Sequence, residues 1–564
     1  MINPELRQQV EHWLAQDPDL HTVQELRELV SKAQSDTQAL GELTNAFQAP
    51  LEFGTAGLRG QLGAGPNRMN RVTVIQAASG LGQYLLAQNL AGQHVVIGYD
   101  ARYNSKIFAH DTARVLSAQG FVPEVFDEVV PTPVLAFAIR QLHACAGVMV
   151  TASHNPASDN GYKVYLGDGR QIVPPADTEI SGHIRAVTDV RDVNMGDKGK
   201  RVSNSVMTAY VRRTSEQIIS GPVAEDLRRD LTVAYTALHG VGWKTLSEVA
   251  TACGFAPLLP VELQKDPDPA FPTTAFPNPE EPGALDLGIT LAKQSKADVL
   301  LANDPDADRL AVALPDVHGE WVMLRGDQVG LLLAWWMIYR TELAGRRLTG
   351  TMANSIVSSM MLEPLAISNG LGYAHTLTGF KWVSRVPQLV YGYEEALGYC
   401  VDPDAVGDKD GISAAVMFLE MIAHLKAQSR TVWDVWHDLQ SRFGVHHTGQ
   451  VSVRVSDLSQ VKSVMAVLRD SAPNEMGGLE ITSSQDLAQP TDNLPATDAV
   501  VMHFGKADVK ARVIIRPSGT EPKIKCYLEV VANGAELVSN QHLAEKTMNM
   551  LITEAHPLLL GESS

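Results

Sequence analysis

The chain has 564 residues, which at a typical domain size of about 150 residues makes roughly four domains. Its 46 Lys and Arg against 64 Asp and Glu leave a formal charge of −18. That argues against a general nucleic-acid or anionic-membrane binder, but not against a small anionic substrate that answers to the charge of its own pocket. A hydrophobic content of 45% and a charged content of 20% exclude a largely disordered chain.

The N-terminus, MINPELRQQVEHW, lacks a basic region followed by an apolar core, so no signal peptide is expected. Leu6, Val10, Trp13 and Leu14 share one helical face, with Asn3-Pro4 as cap and first helical position, and Thr22 with Glu25 fits a capping box for a second helix. These helices read as a packing appendage. From Val72 elements alternate: a helix to about Leu90, strand His94 to Tyr99, a helix to Gly120, strand Val122 to Phe126, a helix through Leu142, strand Gly147 to Val150. Alternation of this kind predicts parallel pairing in an α/β layer. After a polar stretch from Asp189 to Asn204 the pattern restarts with strand Thr232 to Thr236, a helix ending at Gly254, a second strand, a helix after Pro282 and strand Asp298 to Leu301. Proline-rich Asp266 to Pro282 is a long loop inside this unit, of the length that often carries function. A third unit runs from Arg325 to about Phe443. The last, from His446, mixes strands such as Lys523 to Val531 with a helix from His542. The predicted domains are 1–205, 206–322, 323–443 and 444–564. Gly330 to Tyr339, the most apolar run, is about half the ~20 residues of a membrane span. Cys145, Cys253, Cys400 and Cys526 form no CxxC pair, which excludes a zinc ribbon and suits a reducing compartment. A cytoplasmic protein is expected.

Five segments carry chemistry. The apolar strand Gly147–Val150 runs into Thr151-Ala152-Ser153-His154-Asn155-Pro156, placing a serine hydroxyl at a strand end with a histidine beside it for proton exchange. An ordinary polar turn reads the same way, and the absence of GxSxG disfavours an α/β-hydrolase. Asp304-Pro305-Asp306-Ala307-Asp308-Arg309 sets three hard oxygen ligands at alternate positions, suited to Mg²⁺ or Ca²⁺. It is no EF-hand, since Arg309 and Pro315 stand where that loop needs glycine and glutamate. Arg516-Pro517-Ser518-Gly519-Thr520-Glu521-Pro522, followed by Lys523 and Lys525, can aim backbone N–H groups, two hydroxyls and a guanidinium at a phosphate. Glu394 and Glu395, between Gly392 and Gly398, can accept hydrogen bonds from sugar hydroxyls. Phe53-Gly54-Thr55-Ala56-Gly57-Leu58-Arg59-Gly60 is a glycine loop without the Walker pattern.

Together and in this order, these runs resemble the α-D-phosphohexomutase superfamily from about Phe53 to Tyr527. The resemblance implies an α/β fold of four domains around a central cleft: three similar α/β domains and a C-terminal TATA-box-binding-protein-like α+β domain. It implies that Ser153 carries the phosphoryl group and that Asp304, Asp306 and Asp308 hold one Mg²⁺ with the serine phosphate as a further ligand. Arg309 would face the reacting phosphate. Glu394 and Glu395 would read sugar hydroxyls. Arg516, Ser518, Gly519, Thr520 and Lys525 would hold the distal phosphate, and Thr55 and Arg59 would belong to the first-domain site loop. His154, Lys163 and Lys381 would move protons or stabilise charge. The implied reaction interconverts a sugar 1-phosphate and 6-phosphate, glucose first, through a sugar bisphosphate that also serves as activator. The Glu-Glu-Ala-Leu-Gly-Tyr run and the following Gly407-Asp408-Lys409-Asp410-Gly411 are most similar to the phosphoglucomutase-2 and phosphopentomutase branch. Ala396 stands where hexose-specific loops carry serine, which leaves pentose and mannose phosphates as alternatives. A serine phosphatase that leaks phosphoryl groups to water and a non-catalytic phosphosugar binder are the alternative readings. The partner implied is a small phosphorylated sugar, with no nucleic acid or membrane, for a monomer or homodimer.

Overall fold

The computed structural model describes residues 2–455, 458–490, 494–517 and 523–561. The chain divides into two compact units, Met1–Leu324 with Gly398–His424, and Arg325–Leu397 with Leu425–Ser564.

The first unit opens with helices Pro4–Gln16, Leu20–Lys32 and Thr37–Phe47. Asn3 Oδ1 accepts the Leu6 N–H at 2.7 Å, and Pro4 opens the helix. Leu6, Val10 and Trp13 are buried with Leu43 and Phe47 against Val72 and Ile75 of helix Arg71–Ala87, so the appendage covers one face of the first α/β domain. The second helix starts earlier than expected. Asp19 is its cap, accepting from the His21 N–H, so Thr22 already lies in the first turn and its hydroxyl donates to Asp17 instead of forming a box with Glu25.

Strand His94–Tyr99 pairs in parallel with Val122–Val125 and Ala146–Val150, as alternation predicts. The sheet is nevertheless mixed. Asp159–Leu166 runs antiparallel to Ala146–Val150, and Leu58–Gln61 antiparallel to Asp159–Leu166. Asn160-Gly161 hides this strand from a propensity reading. The Asn160 amide is satisfied internally by Tyr103 O and Ser105 Oγ, and a Cβ on Gly161 would lie 2.5 Å from Thr151 O. The second sheet has the order Trp321–Met323, Ala311–Pro315, Val299–Ala302, Val233–Thr236, Leu259–Pro260. Its antiparallel hairpin, Val299–Ala302 with Ala311–Pro315, carries the aspartate loop at its tip. Gly398 bridges to Arg309 and leads into the buried helix Gly411–Ala427.

In the second unit, Thr351–Ser355 pairs in parallel with Gly372–Thr376 on one side and Leu389–Glu394 on the other. Helix Gly326–Leu343 packs on this layer, its Gly330 carbonyl accepting from the Tyr391 hydroxyl at 2.7 Å. A six-stranded antiparallel sheet follows in the order Val445–Arg454, Lys523–Ala532, Val509–Pro517, Val500–Lys506, Leu479–Asp486, Glu475–Met476. Its core, including Met502, Val513 and Leu528, closes against Met548 and Leu551. The last helix spans Leu537–Leu560, starting before the expected His542, because polar Ser539-Asn540-Gln541 falls on its first turns and Asn540 ties back to Gly534. Among the described residues no helix is long and apolar enough to cross a membrane.

Candidate active site

In the first unit the serine and aspartate loops meet. Ser153 sits one turn beyond strand Ala146–Val150, with φ +50. Its N–H donates to Thr151 Oγ1. This strained turn aims the hydroxyl at Asp304, which accepts its hydrogen bond at 2.6 Å, while His154 Nδ1 lies 3.3 Å from the same oxygen. Arg59, on strand Leu58–Gln61 opposite Gly161, donates to Asn155 Oδ1 at 3.1 Å and so lies beside the serine loop.

Alternate aspartates converge because Ala307 turns the loop with φ +55 and its N–H returns to Asp304 O. Asp304, Asp306 and Asp308 are buried, and each offers an oxygen within 4.8 Å of the others. Lys163 Nζ reaches Asp306 at 2.6 Å and Asp308 at 3.1 Å, and Lys409 Nζ reaches Asp308 at 3.2 Å. Thr132 donates its hydroxyl to Asp306 at 2.5 Å. Arg309 donates its backbone N–H to Asp304, and its guanidinium lies 4.0 Å from Asp308 and 3.8 Å from Glu280. Burial, then the neighbouring Asp306 and Asp308, holds Asp304 well above the usual carboxylate range. Burial pushes Asp308 the same way, but Lys163, Lys409 and Arg309 outweigh it and hold that carboxyl low. His154 is kept neutral by burial and by the adjacent Arg309 and Arg59.

A hard divalent cation fits this donor set. Asp306 Oδ1 and Asp308 Oδ1 are buried without a hydrogen-bond partner, and buried acceptors of this kind are rare unless a ligand completes them.

Thr55 lies half-exposed in a turn closed by paired backbone bonds between Gly54 and Gly57. Gly57 has φ +76, and a Cβ there would fall 1.8 Å from Tyr162 O. In the second unit, Glu394 Oε1 accepts the Gly379 N–H at 2.7 Å, which places it next to Lys381 in the short helix Phe380–Val383. Glu395 Oε2 accepts hydroxyls from Ser355 and Ser358, both at 3.0 Å, and burial raises its carboxyl. Arg516 and Lys525 are cross-strand partners on Val509–Pro517 and Lys523–Ala532. Ser518, Gly519 and Thr520 lie outside the described residues.

Three contributors have no site role in the sequence reading: Thr132, Lys409, which stands in the 407–411 run, and Arg102. Arg102 is buried, and its guanidinium donates to the carbonyls of Ser153, Asn155, Pro156 and Asp159. Its place just beyond strand His94–Tyr99, where α/β sheets gather functional groups, is the one signal that could have found it.

A strained serine against a buried carboxylate triad flanked by ammonium and guanidinium groups has the chemistry that phosphoryl transfer requires. Known proteins narrow the class. The chain matches the family profile described as phosphoglucomutase/phosphomannomutase, alpha/beta/alpha domain I, over residues 50–191, domain II over 208–319, domain III over 325–443 and the C-terminal domain over 452–541. It is 44% identical to a probable phosphomannomutase of Haemophilus influenzae, over 82% of this chain and 93% of that one. It is 35% identical to a phosphoribomutase of Saccharomyces cerevisiae, over 98% and 97%, and 34% identical to a phosphoglucomutase of Staphylococcus aureus, over 87% and 91%. The fold matches the crystal structure of a phosphoglucomutase/phosphomannomutase family protein from Burkholderia thailandensis, with a TM-score of 0.66 at 21% identity over 88% of this chain and 96% of that one. The chain belongs to the phosphoglucomutase/phosphomannomutase family and has the four-domain phosphohexomutase architecture. It is a phosphosugar mutase, an intramolecular phosphotransferase.

Proposed function

We propose that the enzyme interconverts α-D-glucose 1-phosphate and glucose 6-phosphate, with Ser153 as phosphoryl carrier and glucose 1,6-bisphosphate as intermediate. The observation that carries this reading is the Ser153 hydroxyl held 2.6 Å from Asp304 within the triad. Asp304, Asp306 and Asp308 would hold one Mg²⁺, which supplies charge stabilisation for the transferred phosphoryl group. Ser153 Oγ gains the P–O bond as the bond from phosphorus to a sugar oxygen breaks, and the serine proton passes to that oxygen. His154, neutral and 3.3 Å from Oγ, is the nearest ring able to relay it. In reverse, phosphoserine phosphorylates the second hydroxyl of the sugar. Lys163, Arg59 and Arg309 offset phosphate charge that would otherwise be repelled by the aspartates. Glu394 and Glu395, preset by Gly379, Ser355 and Ser358, serve to read sugar hydroxyls. Arg516 and Lys525, which flank residues 518–522 in the sequence, serve the non-reacting phosphate, and Lys381 and Thr55 serve the sugar phosphate.

One observation favours a second reading, a phosphopentomutase. Ala396 removes a hydroxyl from the sugar loop, and the yeast relative matched over nearly the whole chain is named a phosphoribomutase. Turnover on glucose, ribose and mannose 1-phosphates with Mg²⁺ and the bisphosphate decides between them, the highest kcat/KM naming the sugar. Ser153→Ala should lower isomerisation by about four orders of magnitude or more. Undiminished turnover in that variant refutes the phosphoserine route.

A further inference from the structure

The proline-rich segment 266–282 has no regular secondary structure, yet it is anchored. Thr273 Oγ1 accepts from Gln264 Nε2 at 2.8 Å and lies 2.8 Å from His239 Nε2, while Gln264 Oε1 takes the hydroxyl of Thr236 at the end of strand Val233–Thr236. From this anchor the chain bends Phe271 into the left-handed region, φ +45, and buries it to 4% exposure. A bulky residue rarely adopts that backbone unless something over-determines it. The ring lies against the Arg102 guanidinium, 4.9 Å from centroid to Cζ.

Both terminal nitrogens of that guanidinium are fully used in its plane. Nη1 donates to Pro156 O and Asp159 O at 2.6 and 3.1 Å, and Nη2 to Ser153 O and Asn155 O, both at 2.6 Å. Nε lies 3.3 Å from Asp100. A guanidinium has five N–H groups in one plane; four are bonded to carbonyls, Nε meets Asp100 as an ion pair without a hydrogen bond, and Phe271 takes one of the two faces. A tilt of the Arg102 plane would move the carbonyls that hold Ser153 in its strained turn.

We propose that Phe271 is a positioning residue for phosphoryl transfer: its ring fixes the plane of Arg102, and through it the four carbonyls that aim Ser153 Oγ. A loop of the second α/β domain thereby sets the nucleophile of the first. The inference rests on Ser153 being the phosphoryl carrier.

The test measures single-turnover phosphorylation of Ser153 by glucose 1,6-bisphosphate in full-length protein with Mg²⁺. The Ser153 O–P bond forms, a sugar O–P bond breaks, and the serine proton goes to the released sugar monophosphate. Phe271→Leu keeps apolar bulk and loses the π face, and loading should slow about 3- to 30-fold with KM for the sugar phosphate unchanged. Phe271→Tyr keeps the face and should load within about twofold of wild type. Arg102→Lys, which keeps the charge and loses the fork, should load more slowly than Phe271→Leu. Wild-type loading in Phe271→Leu, or equal losses in the Leu and Tyr variants, overturns the inference, as does wild-type loading in Arg102→Lys. Absence of phosphate on Ser153 in the wild type overturns instead the phosphoserine reading beneath it.

Discussion

Replacing Lys163 with Met removes an ammonium held between two buried carboxylates at 2.6 and 3.1 Å. At an effective dielectric constant of about 20 those contacts are worth about 6 and 5 kcal/mol of gross attraction. Desolvation of the ammonium offsets much of this, and breaking a buried pair of this kind typically destabilises by about 3–5 kcal/mol. Lys409 and Arg309 remain near Asp308, whereas Asp306 keeps the Thr132 hydroxyl and the more distant charges of Arg59 and Arg102. The loss should therefore fall in that range in chelator, with the first unit unfolding at lower urea. A divalent cation on the triad replaces the missing charge, so Mg²⁺ should stabilise Lys163→Met by more than it stabilises wild type. Urea unfolding of both proteins, with Mg²⁺ and with EDTA, reads the difference. Equal stability in EDTA, or an Mg²⁺ increment no larger than that of wild type, would refute the account of Lys163 as the internal counter-charge of the triad.

Thr132→Val, which deletes the hydroxyl bonded to Asp306 at 2.5 Å, should weaken Mg²⁺ binding about 10-fold, as measured by titration calorimetry. Asp327 is buried beneath the Ser359 N–H and the Tyr393 hydroxyl, and burial pushes its carboxyl up to about 6. Its folded value lies above the unfolded one, so its stabilising contribution is complete below about pH 4 and is lost as pH rises through 6. Between those limits wild type should lose about 3 kcal/mol relative to Asp327→Asn, and parallel urea curves would contradict this. Ala396→Ser should raise kcat/KM for glucose 1-phosphate relative to ribose 1-phosphate by up to about 10-fold, within the worth of one hydrogen bond to substrate. An unchanged ratio removes Ala396 from sugar selection.

The parts of the site that the sequence disclosed are contiguous in the chain. Asp304, Asp306 and Asp308 can be read together because one hairpin tip holds all three. Ser153 could be placed because an unbroken apolar strand, Ala146–Val150, delivers it. What stayed hidden acts across sequence. Thr132 reaches Asp306 over 174 residues, and no local pattern distinguishes it from an ordinary helix-start threonine. Arg102 reaches its carbonyls over more than fifty residues and would pass as a surface arginine. Strand Asp159–Leu166 was missed because Asn160-Gly161 has turn composition, and the tertiary fit of Gly161 against Thr151 overrode it.

The net charge of −18 and the chemistry of the site are reconciled by local balance. Around the triad, three carboxylates face the ammoniums of Lys163 and Lys409 and the guanidinium of Arg309. Without a cation, these positive groups and the raised carboxyl of Asp304 together let three buried aspartates coexist in the folded state. A divalent ion bound there would add two positive charges, enough to offset a phosphorylated Ser153 at nearly −2. Surface acidity farther than about 8–10 Å away is screened at physiological ionic strength, whereas these buried groups are not. The protein can therefore repel polyanions as a whole and still hold a dianionic phosphoryl group, because the field that matters is set by side chains within 4 Å of the aspartates.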